Sequence, residues 1–303
     1  SFNDTIPAKE VWRVSEDGEL RDPFKKLTTV FQMSEEIFFL HYGKDGCNRH
    51  VLIDECRELF GEIYEQIPEL PFCNIWTAMQ LSSRLPKGAL FHMGVSNTRR
   101  CWNMFQLPES VESACNVGCC GIDGCVSTLV GASLVNPDRL CYVVVGDLTF
   151  FYDLNSLGNH HIGTNLRVML VNNGRGTEFR LGIHHCNVFG DDADKYMAAA
   201  GHFGNKSPLL VKHYAEDLGF HYLSATTKEE FMTALSNFTN PQLSDHSMIL
   251  EVFTDSKDES EALYLMSHIQ SDAKGMVRSK LKDAVRNVAG EKGINAIKKI
   301  LKK

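Results

Sequence analysis

The chain has 303 residues, of which 43% are hydrophobic and 23% are charged, and its formal net charge at pH 7 is −7. The apolar content excludes an intrinsically disordered chain, because such chains lack the side chains that form a core. The negative charge argues against nucleic acid as a partner. The sequence contains no run of 18 apolar residues, so it predicts no transmembrane helix.

The 10 cysteines are scattered along the chain, and no two of them have the Cys-x-x-Cys spacing of a zinc site. We therefore predict reduced, mostly buried thiols in a cytoplasmic protein. Two alternatives stay open for the cysteines between Cys115 and Cys125, namely a metal cluster and a thiol that faces a substrate.

Residues 1–40 show few elements and no evident core, whereas residues 41–265 alternate between helical and strand patterns. Helical spacing predicts helices over residues 56–66, 74–85, 125–134, 209–218 and 228–235. Continuous apolar runs predict strands over residues 89–94, 140–145, 166–171 and 247–253. Such runs are typical of strands buried on both faces of a parallel sheet. We therefore predict an α/β fold whose ligands bind beyond the carboxyl ends of the strands.

The last segment, residues 266–303, is rich in lysine and arginine, and apolar residues such as Val277, Leu281 and Val285 fall on one helical face. This pattern predicts a basic, amphipathic, helical C-terminal tail that packs on its own domain or on a sister subunit. An anionic membrane surface or an acidic partner is the alternative.

Polar side chains follow two consecutive strands of the predicted sheet. Asp147 comes after the strand over residues 140–145, and Asn172 and Asn173 come after the strand over residues 166–171. Carboxylate, amide and main-chain oxygens suit Mg²⁺, with phosphate oxygens completing the coordination. A helix that starts near Thr149 offers N–H groups to a phosphate. The spacing allows a metal-diphosphate site, but ordinary turns are the alternative, because Gly-Asp and Asn-Asn-Gly are common turn sequences.

Two longer stretches are more specific. The run Gly146–Leu157 and the run Gly121–Thr128 resemble one family of thiamine-diphosphate enzymes, 2-succinyl-5-enolpyruvyl-6-hydroxy-3-cyclohexene-1-carboxylate synthase of menaquinone biosynthesis. Leu148 stands where the cofactor motif usually has a glycine. The resemblance extends from about Trp12 to Phe253, is strongest over residues 121–176, and does not include the basic tail.

The resemblance implies a three-layer, parallel-sheet domain of the type that binds the diphosphate of thiamine diphosphate, over residues 41–265. Residues 1–40 would be the remnant of a middle domain or a linker. The family also has a pyrimidine-binding domain, whose glutamate activates the cofactor, usually across a dimer interface. Nothing in residues 1–303 matches that glutamate, so the catalytic residue is unknown. We expect the chain alone to be inactive and to need the missing domain or subunit, in a homodimer or larger assembly.

The resemblance also implies roles for individual residues. Asp147, Asn173 and the Arg175 carbonyl match the ligands of Mg²⁺ or Mn²⁺. Ser96 and Arg100 match a serine and an arginine at the substrate pocket. Ser96 also matches a residue that contacts the cofactor, together with Val95, Ile122, Gly146, Leu148 and Thr149. Core packing for Ile122 and a surface position for Arg100 are the alternatives.

Two positions depart from the family. Val117 stands where the family has an arginine that helps to hold an acidic substrate, and Glu178 followed by Phe179 replaces an apolar pair beside the cofactor. Both changes disfavour a ligand with several carboxylates. Four histidines lie near predicted loops of this region, namely His160, His161, His184 and His185. Proton relay is one interpretation of these histidines, and solvent-facing or packing side chains are the alternative.

Three hypotheses about function follow. In the first, the parent enzyme decarboxylates 2-oxoglutarate and transfers the carbanion to an acceptor such as isochorismate. In the second, which the departures motivate, a thiamine-diphosphate decarboxylase or carboligase acts on a different substrate. In the third, the chain is a non-catalytic assembly domain.

Overall fold

The computed structural model describes residues 9–43, 51–118, 120–181, 184–196 and 202–269. The chain divides into two compact units, Ser1–Glu62 and Ile63–Lys303. No helix among the described residues is long and apolar enough to cross a membrane. The predicted basic tail lies almost entirely outside the described residues, so it stays a prediction.

The first unit contains a small parallel pair of strands, β1 (Val11–Val14) and β2 (Leu27–Phe31), followed by helix α1 (Glu35–Tyr42). Ser34 caps α1, because its hydroxyl accepts the N–H of Ile37. Aromatic rings pack together across these elements, with Phe38 buried among Trp12, Phe31 and Tyr42. Whether this unit is a remnant of another domain stays a prediction. Helix α2 (Val51–Glu65) spans the division between the units.

The second unit is built on a parallel sheet of six strands in the order β4-β3-β5-β6-β8-β7. The strands are β3 (Leu90–Met93), β4 (Glu112–Cys115), β5 (Cys141–Gly146), β6 (Leu166–Asn172), β7 (His221–Ala225) and β8 (Met248–Phe253). The helices are α3 (Asn74–Leu81), α4 (Asn97–Trp102), α5 (Cys125–Val135), α6 (Asp147–Tyr152), α7 (Ala193–Tyr196), α8 (Leu210–Asp217), α9 (Lys228–Phe238) and α10 (Ser256–Ser267).

Helices cover both faces of this sheet. Alternate residues of the central strands contribute to two separate apolar clusters, as Val144 and Val143 of β5 show. The first cluster includes residues of α3, α4, α9 and α10, and the second includes residues of α5, α6 and α8. Each central strand is therefore buried on both sides, which explains its continuous apolar sequence. The predicted three-layer α/β fold with a parallel sheet is confirmed.

All the helices and strands predicted over residues 41–265 are present, with small differences at their ends. The helix predicted over residues 74–85 ends at Leu81 and continues as a 3-10 turn to Arg84, two residues before Pro86. Helix α6 starts at Asp147, directly after β5, rather than near Thr149. The two edge strands, β4 and β7, were not expected from the sequence.

Candidate functional site

A cavity lies beyond the carboxyl ends of three adjacent strands, β3, β5 and β6. Each strand is followed by a segment that contributes to the wall, so the sheet itself brings these distant segments together. Eleven of the twelve residues predicted for the site line this one cavity, and Arg100 contacts one of them. The eleven are Val95, Ser96, Ile122, Gly146, Asp147, Leu148, Thr149, Asn173, Arg175, Glu178 and Phe179. Their roles stay predictions.

Asp147 holds the ends of β5 and β6 together. Its carboxylate is 2% exposed, and Oδ2 accepts the backbone N–H groups of Asn173, Gly174 and Arg175 at 3.1, 2.6 and 3.1 Å. Successive N–H groups that point at one anion form a concave site for negative charge. The other oxygen, Oδ1, accepts the N–H of Leu148 at 2.8 Å. The turn after β6 is therefore wrapped around a buried carboxylate that comes from β5.

The two asparagines at the end of β6 have different surroundings. Asn172 is buried and donates through Nδ2 to Oε1 of Glu251 on β8, at 2.7 Å. Asn173 lines the cavity, and its Oδ1 accepts the N–H of Arg175 at 3.3 Å. Gly174 follows with a φ of +78°, and a Cβ there would collide with the side chain of Asn205. The turn needs glycine at this position, and Asn173 is the member of the pair that lines the cavity.

The donor set of this cavity fits a hard divalent cation. It offers the carboxylate of Asp147, the amide of Asn173 and the main chain of Arg175 within one cavity. A carboxylate has about four lone-pair directions, and Oδ1 of Asp147 accepts only one hydrogen bond among the described residues. An oxygen-rich set with one carboxylate is typical of Mg²⁺ sites that bind phosphate groups. Leu148 and Thr149, at the start of α6, lie in the same wall.

Arg100 and Glu178 form a bidentate ion pair at the cavity wall. The guanidinium Nη1 lies 2.7 Å from Oε2 of Glu178, and Nη2 lies 3.0 Å from Oε1. The side chains are 31% and 24% exposed. This pair raises the pKa of Arg100, chiefly through the hydrogen bond to Glu178. Arg100 is on α4, and Glu178 follows β6, so the pair links two segments of the site.

Ser96 stands at a strained position of the backbone. It lies between β3 and α4 with φ 60° and ψ −122°, a region that residues with a side chain rarely adopt. Such strain persists where the surrounding structure enforces it, and it is common at functional sites. Because Ser96 lines the cavity, the strain belongs to the site itself.

Several site residues were missed by the sequence analysis. His202 places Nε2 at 3.1 Å from Oδ2 of Asp147, and its ring packs against Phe151. Asn74, Asn97, Thr98 and Thr177 also line the cavity. Asn74 is buried, and its Oδ1 accepts the indole N–H of Trp102 at 3.0 Å. His202 had no spacing signal, whereas Asn97 and Thr98 follow the predicted strand at residues 89–94 and could have been included on that ground.

Other residues that the sequence analysis singled out lie elsewhere. Val117, in the turn after β4, and the four histidines His160, His161, His184 and His185 are not among the described residues that line this cavity. Burial raises the pKa of Cys125 and Cys141 to about 11. No group of three or more His, Cys, Asp or Glu side chains within the described part of the chain could hold a metal ion, so the alternative of a cysteine cluster gains no support.

The chain is similar to curated proteins named 2-succinyl-5-enolpyruvyl-6-hydroxy-3-cyclohexene-1-carboxylate synthase. It is 34% identical to the one from Bacteroides fragilis over 263 residues, which are 85% of the chain and 45% of that protein. Identity to those from Phocaeicola vulgatus and Bacteroides thetaiotaomicron is 32%, again over 85% of the chain and 44% of each relative. No protein-family model matches the chain.

The chain therefore spans less than half the length of these relatives. The segments that form the cavity lie within the stretch for which the sequence analysis found the resemblance. With the parallel α/β fold and the convergence of the predicted residues on one cavity, the similarity confirms the predicted resemblance. The chain is similar to a part of 2-succinyl-5-enolpyruvyl-6-hydroxy-3-cyclohexene-1-carboxylate synthases.

Proposed function

We propose that the chain is the diphosphate-binding part of a thiamine-diphosphate enzyme that decarboxylates a 2-oxo acid and transfers the product to an acceptor. In the leading version the donor is 2-oxoglutarate, the acceptor is isochorismate and the pathway is menaquinone biosynthesis. One observation carries the proposal. Asp147 and Asn173, at the ends of adjacent strands, line one cavity in a chain similar to the synthases.

The residues of the cavity have complementary tasks in this proposal. Asp147, Asn173 and the carbonyl of Arg175 would hold Mg²⁺ or Mn²⁺, and Leu148 and Thr149 would bind the diphosphate at the start of α6. Ile122, Val95 and Gly146 line the same wall and would fix the position of the cofactor. Thiamine diphosphate, when bound, supplies an electron sink for carbanion chemistry.

In this proposal, one group of residues orients Asp147 and another contacts the substrate. The backbone N–H groups of residues 173–175 orient the carboxylate of Asp147 before a cation arrives, so its position needs little rearrangement on binding. Ser96, Glu178 and Phe179 line the cavity and would contact the substrate, and Arg100 would act there through Glu178.

We propose that another polypeptide segment or subunit supplies the pyrimidine-binding domain. The chain covers 45% of the Bacteroides fragilis relative, so that protein has further segments to which this chain is not similar. We expect a dimer or a larger assembly, and we expect the chain alone to release no CO₂ from any 2-oxo acid.

A second candidate keeps the cofactor and changes the substrate. The ion pair between Arg100 and Glu178 favours it, because the arginine at the cavity wall is already paired with a carboxylate. A monocarboxylic 2-oxo acid or an uncharged acceptor would then replace the acidic substrates of the leading version.

The test assays CO₂ release by the natural polypeptide or assembly that carries this chain, with Mg²⁺, thiamine diphosphate and 2-oxoglutarate, with and without isochorismate. Consumption of both substrates supports the leading version, and CO₂ release only from other 2-oxo acids supports the second. If no 2-oxo acid is decarboxylated and the cofactor does not raise the melting temperature, a non-catalytic assembly domain replaces both. The chain alone is the control, and CO₂ release by it would refute the proposed division of the active site.

A further inference from the structure

The carboxylate of Glu178 stands between the cavity and a guanidinium. Glu178 is one of the residues that line the cavity, whereas Arg100 is not. Arg100 therefore lies behind Glu178, and its guanidinium contacts the cavity wall through this ion pair. The two Nη atoms of Arg100 contact the two carboxylate oxygens of Glu178, so the end of the guanidinium that could bind a ligand carboxylate through both Nη atoms is already taken.

The surroundings of this pair distinguish it from an ordinary surface ion pair. Arg139 and Glu112 make a contact of similar length, 2.8 Å, but Glu112 is 73% exposed and begins edge strand β4. Exposed pairs of that kind contribute little. Glu178 is 24% exposed and shares the cavity wall with Asn173 and Phe179. Partial burial strengthens the charge-assisted hydrogen bonds of the Arg100–Glu178 pair.

A ligand carboxylate would meet an unfavourable exchange at this wall. It would have to displace Glu178 from Arg100, which leaves a partly buried carboxylate without its partner, or it would lie beside Glu178 as a like charge. An uncharged group, such as a hydroxyl or an aldehyde, meets neither cost. The carboxylate of Glu178 thus disfavours ligands that carry a carboxylate at this position.

We propose that Glu178 is a specificity-determining residue that occupies Arg100 and excludes a ligand carboxylate from this end of the cavity. The selected substrate carries an uncharged group at this position. The inference rests on the proposed function, because it takes the cavity to be the substrate site, and it favours the second candidate, in which a less acidic substrate replaces those of the leading version.

The experiment measures dissociation constants for succinate and for its neutral diamide, succinamide, by ligand-observed NMR on the full chain. Removal of the Glu178 charge frees Arg100, so Glu178→Gln and Glu178→Ala should each bind succinate about tenfold or more tightly than wild type. Succinamide should bind equally to all of them. The double variant Arg100→Gln/Glu178→Gln should lose the gain, because the gain requires the guanidinium.

Glu112→Gln is the matched control, because it breaks an arginine–glutamate pair at the other end of the sheet, and it should leave succinate affinity unchanged. The proposal is overturned if neither Glu178 variant binds succinate more tightly, or if the double variant keeps the gain. In the same samples, a shift in melting temperature with Mg²⁺ and thiamine diphosphate tests the proposed function separately, so the two failures are distinguishable.

Discussion

Glu259 is a fully buried carboxyl group behind the cavity wall. Its Oε1 accepts the backbone N–H of Asn74 at 3.0 Å and the hydroxyl of Thr254 at 2.7 Å. Burial raises the pKa of Glu259 to about 7, although these hydrogen bonds oppose the shift. Asn74 lines the cavity, so Glu259 supports the cavity wall through its hydrogen bond to Asn74. The contribution of Glu259 to the free energy of unfolding depends on pH, because the carboxyl group ionises.

The sign of that dependence follows from proton binding. Between pH 4.5 and about 7 the folded state keeps a proton on Glu259 that the unfolded state has lost, so stability falls as pH rises through this window. A pKa raised from 4.5 to about 7 corresponds to ~3 kcal/mol of unfolding free energy. The stabilising contribution is complete below pH 4.5 and is lost above about 7.

Glu259→Gln should remove this dependence, because glutamine does not ionise. We expect the unfolding free energy of wild type, measured by urea denaturation relative to the variant, to fall steadily from pH 5 to pH 7.5. Burial also raises the pKa of Glu251, but both proteins contain that residue and the difference cancels it. Glu261→Gln, at an exposed position of the same helix, is the control and should follow wild type. A constant difference between wild type and Glu259→Gln would contradict the account.

At the residue scale, the sequence predicts that side chains lie together where each of them follows a strand. Asp147 and Asn173 come directly after β5 and β6, and parallel strands place such residues at one edge. His202 comes from a segment that follows no strand, and only tertiary structure brings it to Asp147. The pairing of Glu178 with Arg100 was missed for the same reason, although both residues had been assigned to the pocket.

At the scale of elements, the buried strands were predictable and the edge strands were not. Strands β5 and β6 are apolar on both faces because helices cover both. Strand β4 has the sequence Glu-Ser-Ala-Cys and is mostly exposed, and β7 begins with an exposed histidine. Edge strands are short and polar, so they lack the apolar run that marks a central strand.

Helix α9 offers a test of local stability, because its first turn has a complete cap. Thr227 accepts the N–H of Glu230 through its hydroxyl at 3.2 Å, and the Glu230 carboxylate accepts the N–H of Thr226 at 2.7 Å. The Thr227 hydroxyl satisfies an N–H group that the helix leaves unpaired, and Glu230 joins the first turn to the residue before the cap. Thr227→Ala should lower the unfolding free energy by about 1 kcal/mol, as measured by urea denaturation.

The matched control is Thr233→Ala on the same helix. Thr233 is exposed, and its hydroxyl donates to the carbonyl of Glu229 within the helix. Alanine is a better helix former than threonine, so this variant should match or slightly exceed wild-type stability. Equal losses in both variants would show that the cap contributes nothing specific.

At the scale of the whole molecule, the parallel sheet determines where the cavity lies. In the six-stranded parallel sheet, the carboxyl ends of β3, β5 and β6 lie at one cavity, which is lined by residues with carboxylate and amide oxygens such as Asp147 and Asn173. The sequence indicated this layout because hydrophobic patterns determine the layers. The sequence could not reveal that Arg100 pairs with Glu178 beside the cavity, since that depends on side-chain packing.

The most direct test of the central claim is calorimetric binding of thiamine diphosphate to the chain with Mg²⁺ and with EDTA. We predict binding only with Mg²⁺, and affinity at least about tenfold weaker in Asn173→Ala. Asn240→Ala is the matched control, because the Oδ1 of Asn240 accepts a backbone N–H two residues later, as that of Asn173 does, at an exposed turn. Binding that is unaffected by EDTA or by Asn173→Ala, or no binding at all, would contradict the account.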